Sequence, residues 1–260
     1  MSCQKIPAII RKSVRKIIKK AGYEITRSID PIYSFHSNEY LRINARRLEH
    51  LASLKISVEG MTVLEVGAGI GDHSHYYIDR GCRITITEAR TESLQLLKKR
   101  YPNCDIQFLD LDAPSPIEGS PFDVVHCYGL LYHLSKPKQA LSFLSQHTGK
   151  ILFLETCVSH GDKSQINLIE EWQSDPLQSF NGIGCRPTRT WLFKELNDLF
   201  EYVYVPKNQP RHEQFPVDWT IAAKQQEDDR LYRSVFIASR EPLENEVLSS
   251  ILLSQQPGHE

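Results

Sequence analysis

Val63-Leu64-Glu65-Val66-Gly67-Ala68-Gly69-Ile70-Gly71 is the stretch that decides the fold of this chain. The stretch Met61–Val66, apolar but for Thr62 and Glu65, has the length of a short buried strand. Alternating glycines then break it, and residues 72–80 read as a helix closed by Gly81. Strand, glycine loop and helix in that order place a ligand at the helix N-terminus, beyond the carboxyl end of the strand. The dinucleotide fingerprint G-x-G-x-x-G has its third glycine five residues after its first. Counted from Gly67, that position is Asp72, so the fingerprint fails. Glu65, two residues before the first glycine, is a poor neighbour for a pyrophosphate and a good one for a cation.

Outward from this unit the rhythm repeats. Arg83–Glu88, Asp105–Leu109, Phe122–Cys127 and Lys150–Glu155 read as strands, and Thr91–Arg100 and residues 136–147 as helices. Upstream, residues 37–55 read as a helix whose apolar residues are Leu41, Leu48, Leu51, Ala52 and Leu54. Downstream, Thr188–Phe200 is a helix, and Tyr202–Val205 and Arg233–Ser239 are the last strands. This alternation predicts an α/β fold. Its form is a Rossmann-like, doubly wound, mostly parallel seven-stranded sheet with helices on both faces and an N-terminal helical extension. We divide the chain into a basic segment with N-terminal helices (1–55), the main domain (56–242) and a tail (243–260) expected to form a short helix before disorder. Two insertions, 156–187 and 206–231, are long enough to be functional, and their aromatics predict order.

At this point the chain resembles the class I S-adenosylmethionine-dependent methyltransferases. Residues 63–71 match the family's first motif, [D/E]-x-G-x-G-x-G, and the resemblance extends over roughly residues 37–240. It implies S-adenosylmethionine as cofactor, with Glu65, Gly67, Ala68, Gly69 and Gly71 around the methionine end. It implies that Glu88, at the end of the second strand, binds the ribose hydroxyls. An aspartate after the third strand meets the adenine amine; Asp110 and Asp112 both qualify, with Leu111 between them, and Asp110 is preferred. Phe122–Leu134 is similar to the fourth-strand segment of small-molecule members and brings Tyr128 and Gly129 to the cofactor.

Methyl transfer to a hydroxyl or protonated amine needs orientation and a base. His133, just beyond the fourth strand, has a side chain that titrates near neutrality. It reads either as that base or as a loop anchor. Candidate acceptor contacts are Tyr132, Glu155, His160, Arg186, Arg189 and Trp219, with Arg211 and His212 as further lining. Arg186 and Arg189 read either as clamps for a phosphate or carboxylate or as surface residues beside an N-cap at Thr188. Glu155, His160 and Asp162 carry metal-type side chains, but their spacing specifies no ion, and no metal is expected.

Composition bounds the partners. Of the 260 residues, 31 are Lys or Arg and 32 Asp or Glu, so no broad basic surface exists for nucleic acid. No [D/N]-P-P-[Y/F] motif follows the fourth strand, which also argues against the nucleic-acid amino-methyltransferase pattern. The resemblance favours a small-molecule acceptor, most simply an oxygen of a sugar or other hydroxylated metabolite. A protein or RNA methyltransferase and a non-catalytic cofactor-binding module are the alternatives. Seven cations and no acid fall within residues 5–20, with Ile10, Val14, Ile17 and Ile18 on one helical face. That pattern fits either peripheral contact with an anionic membrane or a helix packed on the domain. The six cysteines stand singly, and no run of about 18 apolar residues exists, so a cytoplasmic protein is expected.

Overall fold

The computed structural model describes residues 31–220 and 231–258. The basic segment at 5–20 lies outside them. Helix α1 is Pro31–Phe35 and α2 is Asn38–Ser53, whose N-cap Ser37 accepts from the Tyr40 amide. Then follow β1 (Thr62–Val66), α3 (Ser74–Ile78), β2 (Arg83–Glu88), α4 (Thr91–Arg100), β3 (Asp105–Phe108) and β4 (Phe122–Tyr128). A single 3-10 turn at Leu131–His133 leads to α5 (Pro137–His147) and the long β5 (Thr148–Val158). The remainder is β6 (Ile166–Glu170), β7 (Ile183–Pro187), α6 (Arg189–Leu199), β8 (Tyr202–Pro206), β9 (Tyr232–Ser239) and β10 (Leu248–Ser249).

One sheet runs β10-β8-β9-β5-β4-β1-β2-β3, and β6 and β7 form a separate antiparallel pair. From β3 to β5 every pairing is parallel; β9 runs antiparallel to β5 and to β8. The chain reverses direction across the sheet between β1 and β4. The crevice at their carboxyl ends is therefore the switch point where open α/β sheets bind ligands.

Period-two alternation fills both faces. Val63, Val124, Phe153 and Val235 point to one core with Ile43 and Leu51 of α2, while Leu64, Val125, Leu154 and Phe236 point to the other with Leu144 of α5 and Leu192 of α6. Gly71 lets α4 come close: a Cβ there would stand 2.5 Å from the Tyr101 ring.

Three expectations are corrected. Among the described residues the sheet has eight strands, because the tail forms β10 against β8 where a helix was expected. Insertion 156–187 is shorter than read, since β5 runs on to Val158, and its centre is the β6–β7 hairpin. Helix α2 buries Asn44, Arg47 and His50 with Ile43 and Leu51, while Leu41 is 44% exposed. The face against the sheet is thus partly polar, and an apolar pattern missed it.

Candidate active site

The glycine loop leaves β1 with Gly67 and Gly69 at φ +65 and +59. A side chain at either would be strained and would collide, at Gly67 with Leu130 and at Gly69 with the Phe35 ring at 2.5 Å. The end of β2 secures the loop. Glu88 accepts from the Gly69 amide at 2.8 Å, and from the Ala89 and Arg90 amides at 2.8 and 2.9 Å. Burial raises the Glu88 pKa, and these three amides oppose the rise.

A cleft of about 730 Å³, counted to its open mouth, lies over these strand ends. It brings together Gly67, Gly69, Glu88, Asp110, Leu111, Asp112, Tyr128, Gly129, Tyr132 and His133 from the sequence expectations. Glu65 and Ala68 line an adjoining lobe with His73 and His126. Gly71 lines neither, being occupied in the packing of α4. Burial pushes the Glu65 pKa up to about 7, although the Ser74 hydroxyl donates to it at 2.5 Å.

The two aspartates after β3 divide. Asp112 is buried and accepts from the Ser135 and Lys136 amides at 2.9 Å, fastening the approach to α5. Asp110 accepts from the Asp112 amide at 2.9 Å and from the Asn181 amide group at 3.3 Å, and keeps a half-buried face on the cleft.

His133 enters from the turn after β4. Its Nδ1 lies 2.5 Å from Glu171, which also accepts from the Ser179 amide at 2.7 Å and from Arg186 at 3.1 Å. Burial lowers the His133 pKa, and the Glu171 hydrogen bond and charge act against that. Burial pushes Glu171 upward, but His133, the Ser179 amide and Arg186 outweigh it, leaving the carboxyl below its usual range. The Tyr132 ring lies 3.8 Å from that of His133, tilted by 41°. The loop carrying Glu171 also crosses the cleft: Pro176, Leu177, Phe180 and Asn181 line it, and Arg90 donates to the carbonyls of Gln173 and Gln178 at 3.0 Å.

The expected acceptor residues scatter. Glu155 is 0% exposed and shared between Arg47 at 2.8 Å and Arg233 at 3.1 Å, so it is a buried counter-charge and not a substrate contact. Arg186 holds Glu171 and the Tyr132 carbonyl, so it braces the site from behind. Arg189 and Trp219 line a different cavity, and His160 packs on Trp219 there. Arg211 is exposed, and His212 is buried outside the cleft. Sequence reading missed Glu171, Arg47, Arg233, Tyr40 and Phe35, none of which stands in a local motif.

Among the described residues, Glu65, His73 and His126 are close enough to share a cation. Their hydrogen bonds close without one, from Tyr77 through His126 and His73 to Asn44 at 2.9, 3.2 and 3.2 Å.

A family model described as a methyltransferase domain matches residues 64–150, the span from β1 to the start of β5. Residues 64–150 thus carry a methyltransferase domain, of the kind that the class I S-adenosylmethionine-dependent motifs of the sequence resemble. Among curated relatives, this methyltransferase is 31% identical over 130 residues to a tRNA U34 carboxymethyltransferase of Haemophilus influenzae (strain PittGG), covering 46% of this chain and 39% of that one. It is 33% identical over 103 residues to a demethylmenaquinone methyltransferase of Renibacterium salmoninarum, covering 38% and 43%. The chain thus matches about two fifths of the length of these relatives. Among solved structures, the N-terminal domain of EvdMO1, determined with SAH bound, superposes with a TM-score of 0.60 at 16% identity, over 92% of this chain and 99% of that one. Magnesium protoporphyrin IX methyltransferase from Synechocystis PCC 6803, with bound SAM, gives 0.52 at 12% identity, over 92% and 100%. At such identities the methyltransferase shares the fold with both. No helix among the described residues is long and apolar enough to cross a membrane.

Proposed function

We propose that this chain moves the methyl group of S-adenosylmethionine to an oxygen of a small hydroxylated acceptor, a sugar or similar metabolite. The observation that carries the reading is the His133–Glu171 pair at the cleft wall. A hydroxyl gives up its proton only to a base, and an imidazole held at Nδ1 by a carboxylate offers Nε2 for that proton.

The residues fit the cofactor. The side-chain-free face at Gly67 and Gly69 admits close backbone approach, and the buried Tyr128 hydroxyl, on the wall shared by both lobes, has no partner among the described residues. Glu88 would take the ribose hydroxyls, Asp110 the adenine amine, and Glu65 in the adjoining lobe the methionine ammonium. Bound there, the cofactor supplies an electrophilic methyl on a sulfonium and leaves as a thioether. The protein's part is to align the acceptor oxygen, exclude water with the 171–182 loop, and take the hydroxyl proton on His133 Nε2. Burial keeps His133 neutral at pH 7, and activity is lost as pH falls through its lowered pKa.

The test has two stages. Calorimetry with S-adenosylhomocysteine, with NAD as comparison, should give micromolar binding of the former alone. Labelled S-adenosylmethionine is then offered with a sugar panel and with bulk tRNA. His133→Ala should keep cofactor affinity and lose roughly 10²–10⁴ in turnover. Glu171→Gln should lose less and shift the acid limb of the pH profile. Label transfer to tRNA alone would replace the acceptor assignment, and cofactor binding without transfer to any acceptor would leave a binding module.

A further inference from the structure

A second cavity, of about 740 Å³ counted like the cleft to its open mouth, lies between the end of β5 and the start of α6. Ser159, Arg189, Thr190, Trp219 and Ser254 line it, and none of these lines the cofactor cleft. Arg189 opens α6 and is only 5% exposed. Its Nε donates to the Ser234 hydroxyl at 3.3 Å and its Nη1 to the Leu253 carbonyl at 2.9 Å. Its Nη2 is buried with no partner among the described residues. The guanidinium stands 4.1 Å from the centre of the Trp219 ring. No carboxylate among the described residues pairs with it; the acid at the cavity, Asp162, is exposed. Burial alone pulls the Arg189 pKa down to about 10.

The contrast with the other buried arginines is chemical. Arg47 and Arg233 share Glu155, whereas Arg189 has two neutral acceptors and an aromatic face. A buried cation that no carboxylate among the described residues neutralises costs several kcal/mol. It is therefore a costly residue to keep unless something anionic completes it. The cavity also sits at the amino-terminal end of an 11-residue helix, where the dipole favours negative charge. Beside it both ring nitrogens of His160 lack partners, and the Arg189 charge helps hold that imidazole neutral.

We propose that this cavity is an oxyanion site. It takes the phosphate or carboxylate of a small organic molecule, paired with the Arg189 guanidinium at the start of α6, with the Trp219 ring as an apolar wall for the rest of the ligand. The site goes beyond the methyl-transfer reading and is tested without the cofactor.

The experiment is calorimetry on the full chain with phenyl phosphate, inorganic phosphate and benzoate. Wild type should bind phenyl phosphate saturably. Tighter binding of phenyl phosphate than of phosphate identifies an organic ligand, and equal binding identifies a free anion; both support an oxyanion site. Arg189→Met should weaken binding at least about tenfold, with no loss of Tm, because an unpaired cation is removed. Thr190→Asp, on the half-buried second residue of the helix, folds without difficulty and should weaken binding by the same order through repulsion. No saturable binding of any probe to wild type, or undiminished binding in both variants, overturns the proposal. S-adenosylhomocysteine titrations of the same preparations report separately on the cleft.

Discussion

The two halves of the sheet place their functional side chains in different ways. From β1 to β4 each candidate residue sits in a strand's last positions or just past its end: Glu65 and Gly67 at β1, Glu88 at β2, Asp110 at β3, Tyr128 at β4. From β5 onward the contacts are made by distant partners. Glu155 pairs with Arg47, 108 residues before it, and with Arg233, 78 residues after it; His133 meets Glu171 across 38 residues. Parallel strands with short returns deliver side chains to one edge by geometry alone. The other half depends on insertions, an antiparallel strand and an N-terminal helix meeting at one point.

The largest expected effect breaks that meeting point. Glu155→Gln strands two buried guanidinium groups without a counter-charge. Removing one partner of a buried ion pair costs about 3–5 kcal/mol, and here two cations lose theirs. Denaturant unfolding should show at least that loss, in the presence or absence of any acceptor. A stable Glu155→Gln variant that loses only turnover would return Glu155 to the acceptor site.

The matching break in the other half is Gly69→Val. At φ +59, with a Cβ 2.5 Å from Phe35, valine is strained and displaces the covering helix. S-adenosylhomocysteine affinity should fall at least about 100-fold, equivalent to about 2.7 kcal/mol. Unchanged affinity would detach the glycine loop from the cofactor.

This contrast also explains what could be read in advance. The strand-loop-helix unit at 61–81 announces itself through composition, and each later strand repeats the pattern, so the fold was legible, and with it which residues gather at the carboxyl ends of β1 to β4. Asp110 and Asp112 looked alike in sequence; only the loop amides of Ser135 and Lys136, which consume Asp112, tell them apart. Glu171 sits in an insertion without motif, and its role exists only because the β6–β7 hairpin folds back on His133. Arg47 was hidden for another reason. A helix is read by its apolar stripe, and α2 turns a polar stripe inward.

The cofactor half should also carry much of the pH sensitivity. Burial holds His126 down at about 3 and His73 well below its usual value, so both are neutral in the fold. The unfolded chain takes up protons on them near pH 6.5. Their contribution is present above about 6.5 and is lost as pH falls toward the folded values. His133, His160 and His212 are lowered too and share that sign. Glu65, raised to about 7, has the opposite sign, and so has Glu88. Their contribution is present below the usual carboxylate value and is lost as pH rises through the folded one. The histidines outnumber them. Stability should therefore fall from pH 6.5 to 4.5, by about 1 kcal/mol or more per pH unit. A flat Tm across that window would mean that the histidines take up protons in the folded state.

The smallest effect sharpens the reading of α2. Leu41 is one of the helix's apolar residues, yet it is 44% exposed while Arg47, on another side of the helix, is 1% exposed. Leu41→Gln keeps helix propensity nearly constant. With little apolar surface to lose, it should change unfolding free energy by no more than about 0.5 kcal/mol. A loss of 2 kcal/mol or more, the range for truncating a buried leucine, would mean that the Leu41 side of α2 faces the sheet after all. Arg47 would then not reach Glu155, and the buried charge cluster that distinguishes the acceptor half would need a different architecture.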